Sequence, residues 1–353
     1  MPSQPAVPPL LTPYVTSLPH SSLTVLSSVL DATGNWLVLR FLYAALSAPS
    51  NSHVAFGSDG VDGREKRKVV LVSFLRGWEF WRTEAKRLGL DLARLTDKGQ
   101  FAFVDGLSEL FYAPSAPQRS PAPPSSPSAI PPRTVLPLRT SPGAVPGRAP
   151  QPLPRPSPTV PSTASTENGR TKRLHFSGSG FAALDTLEND IANVIEQLQT
   201  SKDGDEGEPE VLLVIDQPDM LLAATGPNKG IGATELGEWV MGLQEHAYAT
   251  ILTLSADSPL IHNASTSASQ SATPLEMEHA AFAIGSAHRA EMVMQLRSLE
   301  TGAARDVSGV LRISKGGAWG RGAKTGAEGD WEEKEVLYFI QRDGGVRIFG
   351  RGE

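Results

Sequence analysis

Two stretches have the position and part of the form of a nucleotide site. In a phosphate-binding loop a strand runs into G-x-x-x-x-G-K-[ST]; glycine N–H groups approach the phosphates, the lysine neutralises them and the hydroxyl holds magnesium. The stretch after the strand candidate Leu23–Leu26 reads Val29-Leu30-Asp31-Ala32-Thr33-Gly34-Asn35-Trp36. Only the second glycine, Gly34, is kept. Val29 places a Cβ where a phosphate needs bare backbone, Asp31 repels it, Asn35 brings no cation, and Trp36 has no hydroxyl for a metal. Hydrolysis of ATP by this stretch alone is not expected. The simpler reading is a turn in which Trp36 anchors the start of a helix.

The second stretch is Val211–Asp216 (VLLVID), an apolar run closed by a carboxylate that in a working site orients magnesium through water. Gln217-Pro218 follows, where a catalytic acid often stands. Asp216 also reads as a strand-end cap or an interface residue, a role that needs no nucleotide.

Other chemistry is thinly represented. The seven histidines show no H-E-x-x-H or related metal spacing and read as scattered surface or interface residues. No G-x-S-x-G elbow occurs, and the absence of cysteine removes thiolate nucleophiles, disulfides and Cys-ligated zinc. Three loops rich in glycine or small polar residues carry groups able to touch RNA phosphates: 223–233 with Lys229, 256–273 with His262 and Asn263, and 315–329 with Lys315, Arg321 and Lys324. The first two follow strands at the expected ligand edge of the sheet. Each of these residues also reads as part of a solvated loop.

The elements that would position these groups alternate. Strands are expected at 23–26, 69–74, 101–104, 211–215 and 249–254, and helices at 35–46, 77–88, 181–199, 234–246 and 276–289. Trp78, Trp81, Ala85 and Leu88 share one helical face, as do Leu184, Leu187, Ile191, Val194, Ile195 and Leu198. Strands at 292–296, 310–313, 336–340 and 346–349 then follow one another without long helices. The implied fold is α/β: a twisted, mainly parallel sheet with an antiparallel edge, flanked by helices.

Seventeen of the 29 prolines fall between Pro114 and Pro161. A stretch so poor in aromatic residues cannot bury enough apolar area to offset its ordering entropy, so 113–170 reads as a disordered insertion in a single domain at 10–353, preceded by a disordered 1–9. From Ala113 to Arg173, eight basic side chains face Glu167 alone, whereas the whole chain carries a net charge of -6. The remaining body is therefore acidic, which argues against nucleic-acid binding over its whole surface. No signal segment and no apolar run of membrane-spanning length is evident, so a cytoplasmic and nuclear location is expected.

Six segments together resemble the family of the sixth subunit of the Elongator complex, in a filamentous-fungus-like form. They are LTPYVTSLP (Leu11–Pro19), NWLVLRFL (Asn35–Leu42), VVLVSFLRGWEFW (Val69–Trp81), LGLDL (Leu88–Leu92), FAFVDGLSELF (Phe101–Phe111) and LETGAARDVSGVLRIS (Leu299–Ser314). The resemblance implies a RecA-like fold of the P-loop NTPase type without functional Walker motifs. It also implies assembly with the fourth and fifth Elongator subunits into a six-membered ring that serves the core Elongator subunits in modifying tRNA wobble uridines, with ATP-dependent control of tRNA release. In such rings central loops point inward, which nominates the loops of Lys229 and His262 as RNA-facing. Nucleotide there lies between neighbours, so Gly34 and Asp216 would border an interfacial ATP site while this chain alone binds no cofactor. Two other readings stay open: a RecA-related accessory protein of DNA repair, and a divergent active NTPase.

Overall fold

The computed structural model describes residues 6–47, 67–112, 171–200, 210–226, 229–261, 272–299, 302, 304–320 and 331–350. All of them belong to one unit built from both sides of the proline-rich stretch. The stretch itself, residues 113–170, lies outside the described residues.

A 3-10 turn at Pro9–Leu11 leads into the short helix α1 (Thr12–Thr16). The ordered chain thus reaches into the expected N-terminal tail, and Val7 packs against the core. Then come β1 (Ser22–Ser28), α2 (Asn35–Leu46), β2 (Lys68–Ser73), α3 (Trp78–Arg87), α4 (Leu92–Asp97), β3 (Phe101–Asp105) and β4 (Thr171–Arg173). The second half holds α5 (Gly180–Thr200), β5 (Val211–Asp216), α6 (Met220–Thr225), α7 (Ala233–Glu245), β6 (Ala249–Ser255), α8 (Ser258–Ile261) and α9 (Pro274–Arg289). Strands β7 (Met292–Arg297), β8 (Gly309–Lys315), β9 (Lys334–Ile340) and β10 (Val346–Phe349) close the fold.

All ten strands form one sheet in the order β10-β9-β8-β7-β1-β6-β5-β2-β3-β4. Pairing is parallel from β7 across to β4 and antiparallel from β7 outward to β10. Central strands β2, β3 and β5 are buried on both faces, as their unbroken Val, Leu, Ile and Phe runs require.

The two faces of the sheet carry separate cores. On one, Leu37, Phe41 and Leu42 of α2, Trp81 of α3 and Leu92 of α4 pack on Leu71, Phe103 and Val214. On the other, Leu187 and Ile191 of α5, Leu221 of α6, Trp239 of α7 and Phe282 of α9 pack on Val70, Val104 and Leu213. The expected helix 276–289 begins at Pro274, because Thr273 forms a capping box: its hydroxyl accepts the Glu276 N–H at 3.3 Å and Glu276 Oε2 accepts the Thr273 N–H at 2.7 Å. Among the described residues no helix is long and apolar enough to cross a membrane.

Candidate functional site at the carboxy edge of the sheet

Strands β2 and β5 are parallel neighbours whose outgoing connections part to opposite faces, through α3 and α4 on one side and α6 and α7 on the other. In an open α/β sheet such a divergence leaves a crevice at the carboxy ends of the two strands. Ser73 and Asp216 are the last residues of those strands and are paired in register.

Asp216 is 2% exposed and fully engaged. Ser73 Oγ donates to its Oδ2 at 2.7 Å, Thr253 Oγ1 at the end of β6 donates to its Oδ1 at 2.9 Å, and Arg76 Nη1 lies 3.5 Å from both oxygens. The Arg76 backbone N–H donates to Ser73 Oγ at 3.0 Å, and its guanidinium lies over the Phe80 ring at 5.2 Å from the centroid. Burial pushes the Asp216 carboxyl above its ordinary value, with the Arg76 charge and the two hydroxyls pulling the other way.

Gln217 turns the chain away from β5 with φ 58, in the left-handed region that few side chains other than glycine occupy. Its N–H donates to the Thr253 carbonyl at 3.2 Å and to Thr253 Oγ1 at 3.0 Å, while its Oε1 accepts from Ser255 Oγ at 2.8 Å. This turn swings Asp219 back against the end of β6, where Oδ2 accepts the Ser255 N–H at 3.2 Å and lies 3.1 Å from His279 Nε2. The other ring nitrogen, Nδ1, is 3.2 Å from the Leu260 carbonyl of α8. Asp219 Oδ1 is buried with no hydrogen-bond partner among the described residues.

Gly34 lies on the same edge as the N-cap of α2, with a backbone N-terminal to the helix that is close to helical (φ -90, ψ -4). The loop before it is a closed turn: the Ala32 N–H donates to the Val29 carbonyl at 2.9 Å, and the Leu30 N–H is taken by Asp257 Oδ1 at 3.0 Å. A Cβ on Gly34 would stand 3.3 Å from Leu296 Cδ1, so a larger residue here would require that side chain to give by a few tenths of an ångström. Trp36, expected as a helix-start anchor, is buried and lies tilted on Tyr338 with ring centroids 4.9 Å apart. Burial pushes the Tyr338 hydroxyl up to about 12.

The remaining sequence candidates do not gather. Lys229 is exposed after α6 at the carboxy edge, where Gly230 meets Gly180 at the start of α5. Lys315 pairs in register with Met292 at the beginning of β7, which puts it at the opposite, amino-terminal edge; its Nζ lies 4.5 Å from the Trp319 ring centroid. His262, Asn263, Arg321 and Lys324 lie outside the described residues.

One expectation is corrected. His279 is not a surface histidine: it is 2% exposed and bonded into the core. The signal was its spacing, since His279, Phe282, Ala283 and Ser286 form the buried face of α9. Ser73, Arg76, Asp219 and Thr253 were also missed, because a lone hydroxyl or acid at a strand end has no motif. The loop expected at 256–273 contains α8, too short for a periodic pattern. Among the described residues no three or more His, Asp or Glu side chains form a group able to hold a metal ion. No protein-family model and no curated protein matches the chain.

Proposed function

We propose that the chain is a non-catalytic, RecA-like subunit of the Elongator accessory ring, assembled with the fourth and fifth Elongator subunits and serving tRNA wobble-uridine modification through tRNA binding and release. The family segments motivate the identity, and the ten-stranded, mainly parallel sheet is compatible with the RecA-like part.

The observation that carries the non-catalytic part is the state of Asp216. A carboxylate that positions magnesium needs lone pairs facing solvent and no cation already beside it. Asp216 accepts two hydroxyls, has Arg76 alongside and is almost wholly buried, which is the environment of a scaffold group. The closed turn before Gly34 supports the same reading. ATP, where the ring binds it, lies between chains, with Gly34 and Asp216 at the border of a site that neighbours complete.

Co-purification with the two expected partners tests the assembly. One stable hetero-oligomer of defined mass is expected; a chain that stays monomeric in their presence overturns the proposal. Nucleotide turnover by the isolated chain, lost on Asp216→Ala, would support an active NTPase instead. Within the assembled ring, Lys229→Ala with His262→Ala is expected to weaken tRNA binding without disturbing assembly, and unchanged affinity at matched salt overturns those two assignments.

A further inference from the structure

Beyond β1 the sheet continues as β7 to β10, and its two faces differ. Met294, Leu311, Val336 and Tyr338 point into the core beneath α2. The alternate positions point the other way and most keep contact with solvent: Gln295, Arg312 and Arg347 are exposed, Leu337, Phe339 and Phe349 are half-buried, and Val310 between them is buried. An antiparallel sheet with one wet face normally presents polar residues there. This one presents phenylalanines between arginines.

The pairing register fixes their layout. Gln295, Arg312 and Glu335 form one cross-strand row, and Leu337 and Phe349 lie side by side in the next, which Arg297 begins. Phe339 then sits opposite Arg347. The two phenyl groups are thus diagonal neighbours on adjacent strands, a relation that separates them by about 7–8 Å. Among the described residues of β7 to β10, Glu335 is the one acid on this face, and it is paired with Arg297 at 2.6 Å. Among the described residues neither Arg312 nor Arg347 has an ion-pair partner, in a chain whose net charge is -6.

We propose that this face binds single-stranded nucleic acid, with bases stacked on Phe339 and Phe349 and phosphates held by Arg312 and Arg347. Partly exposed aromatic rings interleaved with arginine suit a strand that offers a π-face and a phosphate at every step. An acidic peptide would engage the arginines but does not offer the rings an aromatic base at every step. The proposal goes beyond the ring reading by giving the isolated chain a binding face of its own, and rests on that reading only for RNA over DNA.

The test is fluorescence anisotropy of the full-length chain, alone, with labelled oligouridylate, oligothymidylate and polyglutamate. Oligouridylate binding is expected to weaken at least about tenfold in Phe339→Ala/Phe349→Ala, as loss of two stacking surfaces requires. Arg312→Gln/Arg347→Gln is expected to lower the slope of log affinity against log salt by about 1.4, the share of two phosphates on a single strand. The arginine pair is solvent-facing, so it decides the matter if the phenylalanine variant melts early. Unchanged oligouridylate binding in the arginine variant, or tighter binding of polyglutamate than of either oligonucleotide, overturns the proposal. Equal binding of the two oligonucleotides upholds the face while removing its preference for RNA. Because the chain is assayed without partners, failure here leaves the assembly reading standing, and failure to assemble leaves this one.

Discussion

Ser73 and Asp216 close adjacent parallel strands in register, and the serine hydroxyl donates to the aspartate Oδ2 at 2.7 Å. Strand-end polar groups that would otherwise line an open crevice therefore satisfy each other. Removing the hydroxyl leaves a buried carboxylate oxygen short of a donor and the Arg76 N–H short of an acceptor. Ser73→Ala is expected to cost about 1.5–3 kcal/mol, the range for a hydrogen bond to a charged group. Urea unfolding measures it, and a loss below about 0.5 kcal/mol would mean that water replaces the serine.

The raised Asp216 carboxyl makes stability depend on pH in a defined direction. With its folded value above the ordinary 3.8, the native state holds more protons than the unfolded chain between the two values. Its contribution is complete below the ordinary value and is lost as pH rises through the folded one. Asp216→Asn removes the titration, so the stability of the parent relative to this variant should fall from acidic toward neutral pH. Unfolding curves for both proteins over that range give the difference, and a flat or rising difference refutes a raised carboxyl.

Every long element could be read from the sequence because its core is built from strong patterns. Val69–Val72 and Val211–Ile215 are continuous apolar runs, and α5 carries an uninterrupted stripe from Leu184 to Leu198. The candidate site was half legible. Asp216 stood out because it ends such a run, whereas Ser73, Thr253 and Asp219 acquire meaning only when β2, β5 and β6 lie side by side, an adjacency that no local pattern encodes. The same holds for Phe339 and Arg347, which lie opposite each other only through antiparallel register.

Arg40 on α2 is 2% exposed, yet among the described residues it makes one hydrogen bond, from Nη2 to the Gly344 carbonyl at 3.3 Å, and its Nε has no partner. Burial, with no counter-ion among the described residues, pulls the guanidinium down to about 10. The cost is present in full below that value and is relieved as pH rises from there toward the ordinary guanidinium value. Arg40→Met keeps the packed stem and removes the charge, so it is expected to stabilise the fold by about 1 kcal/mol or more. A lower melting temperature for the variant would contradict this.

Two glycines should respond to alanine with opposite signs. A Cβ on Gly316 would stand 2.1 Å from the Ala290 carbonyl oxygen, and because this neighbour is backbone, the end of β8 would have to move. Gly285, inside α9, has nothing within 4 Å of the same position. Gly316→Ala is expected to cost at least about 2 kcal/mol, while Gly285→Ala should gain about 0.5–1 kcal/mol by restricting the unfolded chain. Thermal unfolding of the two variants in parallel checks the pair; a cost at both positions would show that the α9 backbone needs its glycine.

His279 ties three elements together, since its two nitrogens face the Asp219 carboxylate at the start of α6 and the Leu260 carbonyl of α8 while its own helix is α9. Without the imidazole, Asp219 keeps the Ser255 N–H as its one remaining donor among the described residues, and α8 loses its side-chain link to α9. His279→Ala is expected to cost about 3 kcal/mol. Much of that cost comes from the stranded carboxylate, so Asp219→Ala in the same chain should recover part of it. A double-mutant cycle by urea unfolding reads the coupling directly. Strictly additive losses would mean that the two side chains do not act as a pair, and that α8 is held by its packing alone.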